Sequence, residues 1–222
     1  MRVLAVTHGP NVGPGVFADA VLRGGHELVE WQVPLRGVPR HGADAVIVLG
    51  GAMHPDEEET HGWLGPELRY LEGELELGTP LLGVCLGSQL LARAAGASVF
   101  RASEPEVGWL PVERTAAGTA DPVASSLPER FEAFQWHQYT HDLPDGAVEL
   151  ARSRVCLQAF RLGSAWGVQF HPEVRPEQID AWLAEDPGDV ADAGALRAET
   201  RERIAAWNDL GRSLCAAFLA AA

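Results

Sequence analysis

The sequence predicts an α/β fold built on a mainly parallel sheet, and two observations support this prediction. In the first half of the chain, short runs of apolar residues alternate with segments of helical length. Strands that are apolar along their whole length are typical of parallel sheets covered by helices on both faces. From residue 97 to residue 169 the pattern changes to short strands separated by turns, which indicates an additional small antiparallel layer.

The individual elements follow from this pattern in chain order. We expect strands at 3–7, 27–32, 45–49 and 81–84, and helices at 16–23, 66–77 and 86–95. Antiparallel strands are expected at 107–113, 130–136, 149–152 and 157–160, and the chain returns to the parallel sheet at 166–170. The tail, about 176–222, is predicted to be helical with a break at 186–189, and its apolar stripe consists of Leu196, Ile204, Trp207, Leu214 and Phe218.

Composition limits the class of function. The 222 residues suffice for one α/β domain, and we expect a single domain spanning 1–222. A net charge of −14 with no basic stripe disfavours binding to nucleic acid or to an anionic membrane. The three cysteines form an odd, sparse set, which argues against a disulfide framework and for a reducing compartment. No apolar run approaches the roughly 20 residues of a spanning helix, and the chain starts directly with a strand, so we expect a cytoplasmic protein.

The segment 83–89 (GVCLGSQ) places a cysteine between an apolar strand and a helix. Flanking glycines permit a tight strand-to-helix turn, which is the geometry of a nucleophile elbow. The first helical turn directs N–H groups and the positive end of the helix dipole at Cys85, which favours a thiolate. Such a thiolate could attack a carbonyl group, and the backbone N–H of Leu86 could stabilise the resulting oxyanion.

A second polar cluster lies in the segment 167–173 (GVQFHPE). His171 and Glu173 are two residues apart, so in an extended backbone their side chains leave on the same face. His171 could take the thiol proton and return it to a leaving amine, and Glu173 could orient the imidazole. A lone His-x-Glu would indicate two solvated polar residues at a strand end. Together with the cysteine turn, it predicts a Cys-His-Glu triad.

These two segments resemble the signature blocks of class I (triad-type) glutamine amidotransferases. Four further segments match the family in the same order, at 49–52, 63–71, 107–112 and 134–137, and they resemble the free-standing, GMP-synthase-like branch in particular. The resemblance implies a flavodoxin-like three-layer fold with a mainly parallel central sheet and a small antiparallel layer. It also implies roles for individual residues: Cys85, His171 and Glu173 as the catalytic triad, the N–H groups of Gly51 and Leu86 as the oxyanion hole, and Gln89, Gln138 and Tyr139 as substrate contacts.

The implied activity is hydrolysis of the glutamine side-chain amide through a cysteine-linked glutamyl thioester, with neither a metal nor an organic cofactor. Ammonia would pass to an acceptor, which a separate synthase subunit could supply. Two alternatives remain open: a γ-glutamyl hydrolase that cuts an amine or a peptide with the same triad, and a non-catalytic binding or regulatory module on the same fold. A PfpI-like cysteine hydrolase would not predict the block at 169–173.

Several polar residues receive no catalytic role from the sequence. His54 and His61 flank the acidic run 56–59, which lacks a convincing metal-ligand spacing, so we expect a solvated loop there. His8 and Asn11 follow the first predicted strand, near the expected position of the site, and no role is assigned to them.

Overall fold

A computed structural model describes all 222 residues of the chain. The strands are β1 (Arg2–Thr7), β2 (Glu27–Gln32), β3 (Ala45–Val48), β4 (Leu81–Val84), β5 (Val99–Arg114), β6 (Arg130–His141), β7 (Val148–Arg152), β8 (Leu157–Leu162) and β9 (Ala165–Val168). The helices are α1 (Gly15–Arg23), α2 (Val33–Arg36), α3 (Leu64–Leu77), α4 (Leu86–Ala94), α5 (Ala116–Ala120), α6 (Pro176–Glu185) and α7 (Ala193–Ala221).

All nine strands belong to one sheet with the order β2-β1-β3-β4-β9-β8-β7-β5-β6. In this spatial order the first five strands, β2 to β9, pair in parallel. The other four, β8, β7, β5 and β6, continue the sheet in antiparallel pairing that begins between β9 and β8. The predicted α/β fold class, with a parallel portion and an antiparallel addition, is confirmed. Because β2 is added on one side of β1 and β3 on the other, the order reverses at β1, and open α/β sheets bind ligands at such a point.

Helices cover both faces of the parallel strands, and the strand residues alternate between the two faces. Val3 and Ala5 of β1 belong to the core cluster formed with α1, α6 and α7, whereas Leu4 and Val6 belong to the cluster formed with α3 and α4. The inner parallel strands β1, β3, β4 and β9 are therefore buried on both faces, which explains their continuous apolar sequences, whereas the edge strand β2 is partly exposed. The loops at the carboxyl ends of these strands therefore have α1, α6 and α7 on one side and α3 and α4 on the other.

The helical tail is confirmed as α6 and α7, separated where the sequence predicts a break. Leu196, Trp207, Leu214 and Phe218 are buried in the core, and Ile204 packs at its margin. The predicted apolar stripe therefore attaches α7 to the sheet, next to α1. None of the helices combines the length and the apolar character that crossing a membrane would require.

The antiparallel strands are longer than the sequence indicates. β5 begins at Val99 and β6 continues to His141, and their pairing shifts register between Arg101 and Glu106. This part of β5 is largely exposed and polar, so it carries no apolar alternation by which a strand could be recognised. The short helices α2 and α5 have no counterpart in the predicted elements.

Candidate active site

Cys85 lies directly after β4, on the turn into α4, as the sequence predicts. Its backbone has φ 52° and ψ −110°, and it is the only residue other than glycine with a positive φ. Backbone strain of this kind costs on the order of 1–3 kcal/mol and is concentrated at functional sites. The Cys85 residue is 5% exposed, and its sulfur lies 3.8 Å from the backbone carbonyl oxygen of Trp136.

The two glycines that flank the cysteine turn are required by close packing. A Cβ on Gly83 would lie 2.5 Å from the carbonyl oxygen of Gly87, and a Cβ on Gly87 would lie 2.0 Å from that of Val48. Neither glycine has a positive φ. The expectation that these glycines let the chain make the turn without a Cβ clash is therefore confirmed, and the clash that they avoid is with the backbone of α4 and β3.

His171 and Glu173 form a buried pair beside the cysteine. Their Nδ1 and Oε1 atoms are 2.9 Å apart, which leaves Nε2 of His171 for the thiol. Burial by itself would lower the pKa of His171, but the charges of Glu173 and Cys85, with hydrogen bonds to both, raise the pKa to about 10. The structure thus brings the three predicted triad residues together. The pair sits on a turn after β9 has ended at Val168, not on an extended strand.

The segment that carries this pair is held by α1 and α7. The Val16 N–H, at the start of α1, donates a 2.8 Å hydrogen bond to the carbonyl oxygen of Glu173. Asn208 and Trp207 of α7 donate bonds of 2.8 Å to the carbonyl oxygens of Val174 and His171. The backbone around the imidazole is therefore fixed from two sides by elements outside the two signature segments.

Two cavities meet at the cysteine, and both are lined by Gly51, Ala52, Cys85, Trp136 and Asp186. The first has a volume of about 60 Å³ and extends past His171 to Val12, Trp182 and Glu185. The second has a volume of about 90 Å³ and is also lined by Met53, His54, Gln89, His137, Gln138, Tyr139 and Asp189. The thiol is therefore accessible from two sides.

The three residues predicted to contact substrate all line the second cavity. The Gln89 Nε2 donates hydrogen bonds to the Tyr139 carbonyl oxygen, at 2.8 Å, and to Gln169 Oε1, at 3.2 Å. The Gln138 Oε1 accepts a 2.9 Å bond from Arg101, and the Tyr139 ring stacks on a histidine ring with centroids 4.2 Å apart. The end of β6 therefore forms one wall of this cavity.

Two backbone N–H groups lie next to Cys85, one following β3 and one opening α4. Gly51 lines both cavities, and Leu86 directly follows the cysteine as the first residue of α4. Neither N–H donates to a backbone acceptor. A Cβ on Gly51 would lie within 3.0 Å of Met53, Leu86 and His8, so the chain is tightly packed on that side.

Several residues at the site were not identified from the sequence. The His8 Nδ1 lies 2.8 Å from the carbonyl oxygen of Gly50, and its Nε2 lies 2.9 Å from Oε1 of Glu67. His54, predicted to be in a solvated loop, instead lines the second cavity, and Trp182 lines the first. The position of His8 at a strand end was a usable signal. Its contact with the loop after β3 depends on strand order, which the sequence does not reveal.

One group of side chains has the composition of a metal site. Candidate ligand atoms of Glu106, His137 and Cys156 lie within 4.8 Å of one another. Glu106 already accepts hydrogen bonds from Gln158, at 2.8 Å, and from Cys156, at 3.3 Å, and it lies 3.2 Å from His137. Burial raises the pKa of the Cys156 thiol to about 12, so this thiol is protonated at neutral pH. The Glu106 carboxylate is therefore already engaged by Gln158 and Cys156, and the His137 that lies beside it also lines the second cavity.

Two relatives match about two thirds or more of this chain in sequence. One is a component of the glutamine-hydrolysing GMP synthase of Pyrococcus abyssi, and it is 32% identical over 152 residues, which cover 67% of this chain and 76% of that protein. The other is a γ-glutamyl-L-1-hydroxyisopropylamide hydrolase from a Pseudomonas species, which is 28% identical over 172 residues. That match covers 73% of this chain and 58% of the hydrolase, so the chain corresponds to less than two thirds of that enzyme.

Structural similarity extends over nearly the whole chain. A glutamine amidotransferase from Thermotoga maritima superimposes with a TM-score of 0.88 and 31% identity, covering 96% of each chain. The family model for class I glutamine amidotransferases matches residues 21–187, which contain both the cysteine turn and the His-Pro-Glu segment. The family suggested by these two segments is confirmed, and the chain belongs to the class I glutamine amidotransferases.

Proposed function

We propose that this chain hydrolyses the side-chain amide of glutamine with Cys85 as nucleophile, His171 as general acid and base, and Glu173 as its orienting carboxylate. The observation that carries the proposal is the convergence of a strained, cavity-lining cysteine with a buried histidine–glutamate pair. Membership of an amidohydrolase family supports this chemistry. Strained backbone at a nucleophile is a recurrent property of enzyme sites.

The first half-reaction forms the acyl-enzyme. The Cys85 thiolate attacks the amide carbon and forms a C–S bond, while the carbonyl electron pair moves to oxygen. The N–H groups of Gly51 and Leu86 stabilise this oxyanion, and donors of this type typically contribute about 2.7–4 kcal/mol each. The protonated His171 then gives its Nε2 proton to the leaving nitrogen, the C–N bond breaks, and ammonia leaves a glutamyl thioester.

The second half-reaction returns the enzyme to its starting state. Neutral His171 removes a proton from water, which attacks the thioester carbon and again forms an oxyanion. The C–S bond breaks, glutamate is released, and the thiolate–imidazolium pair is regenerated. Glu173 stabilises the positive charge on His171 each time it forms, in agreement with the direction in which it moves the pKa of that histidine.

The glutamyl part of the substrate is assigned to the second cavity. The Nε2 of Gln89 is engaged by two acceptors, which leaves its Oε1 to accept a hydrogen bond from the substrate α-amino group. Gln138 and Tyr139 contribute the wall at the end of β6. The Pyrococcus abyssi relative is named as one component of a synthase, which supports a separate partner that consumes the ammonia.

The decisive experiment measures glutamate release from glutamine by the purified chain and by Cys85→Ala. We expect activity in the former and background in the latter. Labelling of Cys85 by a glutamine-like electrophile provides a second readout that does not require turnover. An accessible Cys85 that neither turns over nor reacts with the electrophile would support the non-catalytic binding module instead.

A second candidate function is hydrolysis of a γ-glutamyl amide of a larger amine. The cavity beside His171, where the leaving group would lie, is lined by Trp136 and Trp182, and ammonia needs no such aromatic surroundings. A relative named as a γ-glutamyl-amide hydrolase supports this candidate. Comparing kcat/KM for glutamine with that for γ-glutamyl-isopropylamide separates the two, because a dominant preference for the latter contradicts the glutaminase assignment.

A further inference from the structure

We propose that His8 and Glu67 hold the peptide between Gly50 and Gly51 in the orientation that directs the Gly51 N–H at the reacting carbonyl. The proposal rests on the proposed hydrolytic function. His8 and Glu67 would be positioning residues, since neither lines the cavities at Cys85.

The hydrogen bond from His8 sets the direction of this peptide. A carbonyl oxygen can only accept, so the 2.8 Å contact means that His8 Nδ1 donates to the Gly50 oxygen. The chain contains no cis peptide bond, and in a trans peptide the C=O and N–H groups point in opposite directions. The Gly51 N–H therefore points away from His8, and Gly51 lines both cavities that meet at Cys85.

Without this bond the peptide would have an alternative orientation. Glycines on both sides allow backbone rotations that other residues resist, and the Gly51 N–H has no backbone acceptor that would hold it. A half-turn of the peptide would exchange the two groups and present the Gly50 carbonyl oxygen to the developing oxyanion. Such an exchange would replace a stabilising donor with a repulsive acceptor.

Glu67 fixes the imidazole that makes this bond. Glu67 Oε1 lies 2.9 Å from His8 Nε2, and both side chains are completely buried. The ring of Trp63 stacks on His8 with centroids 5.3 Å apart and an angle of 14° between the planes. Burial by itself would lower the pKa of His8, but the charge and hydrogen bond of Glu67, with the backbone carbonyl, raise it, so both ring nitrogens can donate.

The buried pair of His8 and Glu67 is not explained by a contribution to the stability of the core. Fully buried ion pairs are often no more stable than apolar residues of similar volume, and Oε2 of Glu67 has no hydrogen-bond partner at all. A positioning role explains the presence of the pair at this place, because an apolar side chain could not hold the Gly50 carbonyl.

The test compares two substitutions of His8, each of which retains a hydrogen-bond donor near only one of the two ring-nitrogen positions. His8→Asn keeps a donor near the Nδ1 position, facing Gly50, whereas His8→Gln keeps a donor near the Nε2 position, facing Glu67. For hydrolysis of a γ-glutamyl substrate we expect kcat to fall about 100-fold in His8→Gln with little change in KM, and to stay within about 10-fold in His8→Asn. Iodoacetamide, which alkylates Cys85 without forming an oxyanion, should react at the wild-type rate with both.

A third variant covers the possibility that a single substitution disturbs folding. The double substitution His8→Leu with Glu67→Met removes both buried polar groups, so it is expected to fold, and kcat should still fall about 100-fold while alkylation is retained. Crystal structures of His8→Gln and of this double variant provide a readout independent of activity, and both should show the peptide after Gly50 rotated.

Three results would overturn the proposal: wild-type kcat in His8→Gln, parallel loss of alkylation and hydrolysis in all variants, or an unchanged peptide in the crystal structures. Failure of the proposed function gives a different pattern. The wild-type chain would then hydrolyse no γ-glutamyl substrate, yet the peptide would still rotate in His8→Gln, which supports its positioning by His8.

Discussion

The indole Nε1 of Trp207 donates a hydrogen bond of 2.8 Å to the backbone carbonyl oxygen of His171. One turn further along α7, a Cβ on Gly211 would lie 1.9 Å from the carbonyl oxygen of Pro172. Helix α7 thus lies against the backbone of the proposed catalytic base and holds it by a bond and by close approach. The helix lies outside the residues matched by the family model, yet it supports the site.

The contact between Trp207 and His171 predicts a coupled loss of stability and activity in Trp207→Phe. Phenylalanine keeps most of the ring packing against Phe131 and Phe170 but cannot donate to the His171 carbonyl. Leaving a buried acceptor unpaired costs about 1–3 kcal/mol in the free energy of unfolding, and the less constrained imidazole should lower kcat. Denaturant unfolding and steady-state kinetics measure the two effects.

A matched control for this variant is Trp109→Phe. Trp109 is also a buried indole and packs edge-to-face against Trp207, but its 3.1 Å hydrogen bond goes to Thr200 and not to the backbone of His171. We expect some loss of stability and an unchanged kcat. Equal kcat values in the two variants would show that the bond to His171 does not position the imidazole.

The strained backbone of Cys85 predicts an inverted stability order for two inactive variants. Glycine normally destabilises a folded chain relative to alanine by roughly 0.5–1 kcal/mol, but it adopts a positive φ without a steric penalty. At φ 52°, Cys85→Gly should therefore have the larger free energy of unfolding, by on the order of 1 kcal/mol over Cys85→Ala. Both variants lack the thiol, so the difference between their free energies of unfolding, measured by denaturant unfolding, reports the effect of the backbone conformation at this position. A more stable alanine variant would mean that the turn stores no strain.

The raised pKa of His171 predicts an activity limit at alkaline pH. The imidazolium that protonates the leaving group should persist until the pH approaches the pKa of about 10, and kcat/KM should fall above it. Since the folded pKa is raised above the ordinary histidine value of 6.5, the stability contributed by this proton is complete below about pH 6.5 and is lost as pH rises through about 10.

Glu173→Gln tests the cause of that shift. The substitution removes the carboxylate charge next to His171 but leaves a side chain of similar shape. The pKa of His171 should fall, so the alkaline limb of the kcat/KM profile should move to lower pH. Glu177→Gln, an exposed change in the first turn of α6, is the control and should leave the profile unchanged. If the alkaline limb of the kcat/KM profile does not move in Glu173→Gln, that limb reports the titration of a group other than His171.

The sequence was sufficient to predict the family, the cysteine turn and the pairing of His171 with Glu173, because each depends on local order: a strand, a turn and a helix around Cys85, and the spacing of His171 and Glu173. It was insufficient for the residues that support them. His8 contacts Gly50 only because β1 and β3 are neighbours, and Trp207 contacts His171 only because α7 folds back onto the sheet. Such contacts depend on tertiary arrangement, and no local pattern encodes them.

The aromatic wall of the cavity beside His171 predicts that Trp182 affects selectivity between leaving groups. Its ring lies 4.9 Å from that of His171 in an edge-to-face arrangement, and its Nε1 donates to the carbonyl oxygen of Asn11. Trp182→Leu keeps the site apolar but removes contact area. For γ-glutamyl-isopropylamide we expect kcat/KM to fall about 10-fold or more, and for glutamine about 3-fold or less, because ammonia does not reach this wall.

Trp136→Leu serves as a comparison, because Trp136 lines both cavities and should affect the two substrates more evenly. The ratio of the two kcat/KM values is the informative quantity, since any general effect on folding or on the triad cancels in it. An equal fall for both substrates in Trp182→Leu would mean that this ring only packs against the imidazole. A selective fall would place the amine of the substrate against Trp182 and favour the γ-glutamyl-amide hydrolase over the glutaminase.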